Sequence, residues 1–211
     1  MDLCWLSSKR YAFVFSRISS CIILPCWRVT LIMNIFYLDN DPMVCAQMHV
    51  DKHVVKMILE YAQLLSTAHR VLDGTECTVL SKTGRKKKVF ALPDVEYDSL
   101  LYGATHINHP SAKWVRHSSN NYRWLYRLFA ELCAEYTYRY GKVHLTDTKL
   151  KNLLKNLPKN IPIGDFCPPW RAMPDEFKVA DTMESYRNYY RGAKMNMFSW
   201  KKRETPSWVN I

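Results

Sequence analysis

Apolar residues recur at helical spacing over residues 42–72, where Val50, Val54, Met57, Tyr61, Leu64, Leu65, Ala68 and Leu72 form one stripe. Asp41 before Pro42 reads as an N-cap and first-turn pair, and Asp73-Gly74 as the stop, so one long helix is predicted there. A second long helix follows a Ser118 or Ser119 cap and ends at Gly141, with Trp124, Leu125, Leu128, Phe129, Leu132, Cys133 and Tyr136 inward. A short helix begins at Pro110. A basic amphipathic one begins near Thr146, with Leu150, Leu153, Leu154 and Leu157 inward. The last starts at Asp181 and Glu184, a capping-box-like pair.

Three stretches break this pattern. Met33–Asp39 reads as a first strand or extended segment. Residues 75–98 alternate and carry β-branched residues around Thr83-Gly84, which predicts a hairpin whose basic tip is Lys82, Arg85, Lys86, Lys87 and Lys88. Residues 158–180 are too rich in proline for regular structure and are expected to wrap the surface or cover a site. The fold class is therefore mainly α: a single-domain bundle of about five helices with a short extended segment and an inserted basic hairpin.

Residues 1–32 are apolar but interrupted by Lys9, Arg10, Arg17 and Arg28, with neither a membrane-spanning run nor a signal-peptide pattern. We read them as an extension, or as sequence upstream of a natural start at Met33, with the domain over 33–211. Without them the chain keeps most of its net charge of +11. That charge, together with 13% aromatic residues, points to nucleic acid or a phosphorylated ligand, because cations neutralise phosphates and flat rings stack on bases. The seven cysteines are odd in number and include no CxxC pair, so they read as reduced thiols rather than a disulfide framework or a zinc ribbon.

Opposite its apolar stripe the 42–72 helix carries His49, Lys52, His53, Lys56, Glu60, Gln63 and Thr67. Such a face can simply be solvated, since Lys56 and Glu60 make an ordinary i,i+4 pair, or it can perform acid/base work on an anionic substrate. His106, Asn108 and His109 lie in the loop at the positive end of the helix begun by Pro110, where anions bind readily. Three chemistries compete. A metal on His49 and His53 would need His106, His109 or His144 as third ligand, and no recognisable spacing supplies one. Cys45 or Cys133 as nucleophile has no motif. The preferred reading stacks a base on Trp114 or Tyr122. Lys52, Lys56, Lys113, Arg116 and the hairpin tip hold its phosphates, with His49, Gln63, His106, Asn108 and His109 around it. Proton transfer falls to Asp51, His53, Lys56 or Glu60. No metal or other cofactor is assigned.

The passage MNIFYLDNDPMVCAQMHVDKHVVKMILEYAQLLSTAHR, followed by NHPSAKWVRHSSNNYRWL and EYTYRYGKVH, resembles a family of small, mostly helical proteins of tailed bacteriophages. These are similar to the alpha-glutamyl/putrescinyl thymine pyrophosphorylase group and, more distantly, to pyrimidine-dimer DNA glycosylases. The resemblance implies an enzyme acting on a thymine-derived base in DNA, in the cytoplasm of an infected bacterium, with a small amine or amino acid as co-substrate and no membrane. Amino-group transfer onto a pyrophosphorylated hydroxymethyluracil is favoured over base excision. The dimer glycosylases use an N-terminal α-amine, and Met33 before Asn34 departs from that pattern. A non-catalytic basic DNA-binding protein is the rival from another class.

Overall fold

The longest helix, α2 (Asp51–Asp73), is the axis of the molecule. Val54, Met57, Ile58, Tyr61, Leu64, Leu65 and Ala68 on it are buried, and α5 (Ser119–Tyr140), α4 (Pro110–His117) and α6 (Leu145–Leu154) pack against it. The computed structural model describes residues 34–81 and 83–210, so the expectations for residues 1–33 and for Lys82 lie outside the described residues. The described chain is mainly helical, with seven α-helices and one antiparallel hairpin.

The predicted 42–72 helix is in fact two. Asp41 caps α1 (Pro42–Met48), its carboxylate accepting from Met43 N at 2.7 Å and Val44 N at 3.3 Å, but His49 and Val50 are extended before α2 begins. The break is held from α5. Arg139, with a side chain fully removed from solvent, donates to Gln47 O and His49 O, each at 2.9 Å, the carbonyls that the end of α1 leaves unpaired. The same guanidinium meets Asp51 Oδ1 at 2.9 Å and Glu135 Oε1 at 2.6 Å. Hydrophobic periodicity does not register this junction, because the apolar stripe keeps its phase through α2 alone.

Other caps fall where the residue types place them. Ser118 Oγ accepts from Asn121 N at the start of α5, and Gly141 takes the left-handed conformation, φ 67°, at its end. Asp181 accepts from Glu184 N to open α7 (Thr182–Ala193). The hairpin pairs β1 (Thr75–Leu80) with β2 (Lys86–Ala91) in register from Thr75↔Ala91 to Leu80↔Lys86, largely exposed on both faces. Within the span assigned to it, Asp94 also caps an unexpected short helix, α3 (Val95–Leu100). Arg70 ties these parts together by donating to Phe90 O, Tyr102 O, Leu101 O and Asp98.

Residues 34–38 are extended and buried, without a strand partner among the described residues. Their backbone is satisfied by side chains instead: Phe36 N donates to Tyr61 OH, and Leu38 O accepts from Arg187. The proline-rich passage seals the α4–α5 junction. Trp114 Nε1 donates to Cys167 O at 2.9 Å, and Ser118 Oγ to Asp165 O at 2.8 Å. No described helix is long and apolar enough to cross a membrane.

Replacing Arg139 by Met removes the buried cation while Asp51 and Glu135 keep their charges. The expected loss is about 3–5 kcal/mol, the usual cost of breaking a buried ion pair on one side. Urea unfolding of the variant checks this, and an unchanged midpoint would show that the junction is held by packing alone.

Candidate functional site

The polar face of α2 divides on folding. Lys52 and Lys56 remain exposed, while His53 and Glu60 keep only 5% of their surface and His49 none. Lys56 Nζ lies 2.9 Å from Glu60 Oε1. The ammonium balances the charge of this buried carboxylate. Gln63 is half-buried, and Thr67 receives a hydrogen bond from Thr105 N at 3.2 Å, which brings the His106–His109 loop against α2.

Beneath this face runs a buried network of rings. Phe36 N–H donates to Tyr61 OH, whose proton goes to His49 Nε2 at 3.2 Å, while His49 Nδ1 donates to Cys45 O at 2.7 Å. Donor accounting thus fixes His49 as neutral, and burial pushes its pKa down to about 4. Tyr190 OH lies 2.6 Å from His53 Nδ1. With the tyrosine as donor, the imidazole keeps its own proton on Nε2. Phe36 stacks on the imidazole at 4.4 Å. Burial, then the charges of His49, Lys194 and Lys56, push the pKa of His53 down to about 2. Burial thus keeps His53 neutral and makes it a weak proton acceptor, less suited to the general-base role than the sequence suggests.

Further residues also change role. Asp51 accepts from Arg139, from Ser199 Oγ at 2.6 Å and from Lys201 N at 3.0 Å. Burial alone would raise its pKa, but these hydrogen bonds outweigh it and hold the carboxyl below its usual range. It clamps the C-terminal passage to the α1–α2 junction and has little capacity left for proton transfer. Trp114 and Tyr122 are fully buried. Trp114 packs edge-on to Trp124, and Tyr122 OH donates to Leu154 O while meeting His69 Nε2 at 2.8 Å. Neither ring has a free face for a base. With both of its nitrogens engaged, His49 is likewise unable to touch a substrate, and no group of three metal-ligating side chains forms among the described residues.

A basic surface does form on α4. His109, Lys113, Arg116 and His117 fall at i, i+4, i+7 and i+8, on one side of the helix. His109 Nδ1 accepts from Ser111 N as the cap, and burial followed by the charge of His106 lowers its pKa. Thr105 Oγ1 lies 2.7 Å from His106 Nδ1, and Asn108 is exposed in the same loop. Arg116 Nη2 donates to Ile107 O at 2.8 Å, whereas Nη1 is buried with no hydrogen-bond partner among the described residues. No carboxylate among them pairs with this guanidinium. A half-buried cation without a carboxylate partner is a candidate contact for an anion. At the end of the strip the His117 ring meets Trp170 at 5.9 Å, and Trp170 is 40% exposed.

The hairpin presents Arg85, Lys86, Lys87 and Lys88 to solvent, Lys88 paired with Glu76 at 2.6 Å. Sequence reasoning missed Tyr190, 137 residues from the His53 that it meets, and did not single out Trp170 within the passage expected to wrap the surface or cover a site. No family model matches the chain, and neither a curated protein nor a solved structure does.

Three buried histidines make stability depend on pH. Burial pushes His49 and His69 down to about 4 and His53 to about 2, against about 6.5 for histidine in an unfolded chain. Below that unfolded value the unfolded chain takes up protons that the folded one refuses. Stability should therefore be full above about pH 6.5 and fall as the pH drops toward 4. Urea midpoints that stay level across that window would contradict the buried neutral assignment.

Proposed function

We propose that this chain is an enzyme that acts on DNA, holding the strand along α4 and carrying out its chemistry on the polar face of α2. The observation that carries the reading is Arg116, a half-buried cation without a carboxylate partner among the described residues, in line with His109, Lys113 and the exposed Trp170. Phosphates suit the cations, and a base suits the indole face. This differs from a pocket lined by Trp114 and Tyr122, since those rings are buried and Trp170 beside the basic strip is exposed.

Within the reading, Glu60 takes the proton, Lys56 balances charge at the same carboxylate, and His53 Nε2–H donates to negative charge that develops in the transition state. The substrate class is a thymine-derived base, and amino-group transfer onto a pyrophosphorylated hydroxymethyluracil is favoured over excision. Transfer needs a base for the incoming amine and cations for the departing pyrophosphate, and these residue types supply both. Excision by a glycosylase would draw on the same side chains.

Nucleoside mass spectrometry of DNA treated with the full chain tests the proposal, using plain thymine, thymine dimer and pyrophosphorylated hydroxymethyluracil substrates with amino acids supplied. A changed or missing base is expected from one of them. Glu60→Gln and Lys56→Ala should abolish it while leaving the unfolding midpoint near wild type. Full turnover in both variants would remove the α2 face from the mechanism.

A non-catalytic DNA-binding protein is the second reading, favoured by the hairpin, whose strands project Lys86, Lys87 and Lys88 with both faces largely exposed. Replacing these three lysines by Ala should flatten the salt dependence of DNA affinity, its log–log slope falling by about 0.9 for each phosphate that is no longer neutralised. Trp170→Ala should cost about 1–3 kcal/mol of single-strand affinity at constant salt slope. DNA affinity that ignores Trp170 and Arg116 but follows the hairpin would favour the binding protein.

A further inference from the structure

Little of the hairpin's surface is used by the fold. All of β1 is exposed, and so are Lys86, Lys87 and Lys88 of β2. A two-stranded ribbon is marginal on its own in water, and this one is braced at both ends. At its base Arg70 Nη1 donates to Phe90 O and Leu92 N donates to Asp98 Oδ1, each at 2.8 Å. At its tip Ser81 N donates to Arg85 O at 2.8 Å, and Ser81 Oγ accepts from Arg85 N at 3.0 Å, with Gly84 left-handed at φ 75°. The result is an arm about 20 Å long, from strands of six residues rising about 3.4 Å each.

Its two faces differ. The register pairs Glu76 with Phe90, Thr78 with Lys88 and Leu80 with Lys86, and alternation puts these on one face. The opposite face carries Lys87, Val89 and Ala91, which look onto the body across a cleft of about 260 Å³ that Gly103 and Ala104 also line. Phe90, half-buried at the base, borders the same cleft. Beyond it Thr78, Leu80, Lys86 and Lys88 form the outward face, with Leu80 71% exposed.

Arg85, Lys86 and Lys87 form no ion pair among the described residues, while Lys88 reaches Glu76. A polyanion answers that charge. The outward face adds what phosphates alone do not call for, an apolar side chain and a hydroxyl set among lysines. The major groove of DNA, about 12 Å wide, admits a two-stranded ribbon, whereas the undeformed minor groove, about 6 Å wide, does not. Its base edges offer guanine N7 and O6 to lysine and the thymine methyl group to an apolar side chain. We infer that the hairpin recognises double-stranded DNA by lying in the major groove, with Thr78, Leu80, Lys86 and Lys88 on base edges and Arg85 and Lys87 left for the flanking phosphates. This rests on DNA as the partner proposed above and adds to it the form of the DNA and the groove.

Fluorescence anisotropy of the full chain with a labelled duplex, and with one of its strands alone, tests this. The duplex should bind more tightly than the single strand. Replacing every guanine by 7-deazaguanine, which lacks the N7 acceptor, should weaken the duplex complex about tenfold, within the range of a base-edge contact to guanine. Netropsin, which fills the minor groove, should not compete. Leu80→Ser should weaken duplex binding several-fold at constant salt slope, whereas Val79→Ser, on the opposite face, should bind as wild type. Duplex affinity that ignores 7-deazaguanine, that netropsin abolishes, or that Leu80→Ser and Val79→Ser change alike would overturn the groove assignment while keeping DNA as the partner. Failure to bind either form of DNA would overturn both.

Discussion

The guanidinium of Arg139 holds the architecture in register. It lies in the core with four acceptors, two of them main-chain carbonyls at the end of α1 and two of them carboxylates. Four of its five N–H donors are met, two of them by carboxylates that balance the charge, which is what lets a buried cation be tolerated. Through Asp51 it also reaches the C-terminal passage, where Ser199 and Lys201 bind the same carboxylate. Glu135 extends the cluster to Arg203, which meets it through Nε and Nη2. Burial by itself would raise the Glu135 pKa, and the two arginines more than offset it. One α5 residue thus joins the α1–α2 junction to the last described segment of the chain.

That junction sets the chemistry of α2. Breaking the helix after Met48 lets His49 turn inward to Tyr61 and Cys45, while α2 restarts in a phase that presents His53, Lys56 and Glu60 on successive turns. The extended segment 34–38 then brings Phe36 onto the His53 ring, and α7 supplies Tyr190 on the other edge. A histidine so enclosed stays neutral across the physiological range. Rigid placement of a neutral donor beside a charge-balanced carboxylate is a form of preorganisation, in which polar groups are ordered before any charge develops.

Two arginines illustrate opposite uses of the same side chain. Arg70 is consumed by structure, donating to main-chain carbonyls and to Asp98, and so fixes the hairpin and α3 to the end of α2. Arg116 has one carbonyl partner and an unmet nitrogen, with burial lowering its pKa. Partner counting separates scaffold from candidate ligand contact here, where charge alone does not.

By itself the sequence determined the helical class, the caps at Asp41 and Asp181, a serine cap at 118 or 119, the stop at Gly141 and the basic hairpin. Each of these follows from local rules: the period of apolar residues, side chains that accept backbone N–H groups within three residues, and glycine at positive φ. The Lys56–Glu60 pair was legible for the same reason, being one turn apart. Only the tertiary structure decided that His49, Trp114 and Tyr122 are interior, that Asp51 is a clamp, and that Trp170 stays exposed. Those outcomes depend on partners such as Arg139, Cys167 and Leu154, from 32 to 90 residues distant. Residue type and spacing tell which groups can donate, accept or stack; burial and long-range hydrogen bonds tell which have already done so within the fold.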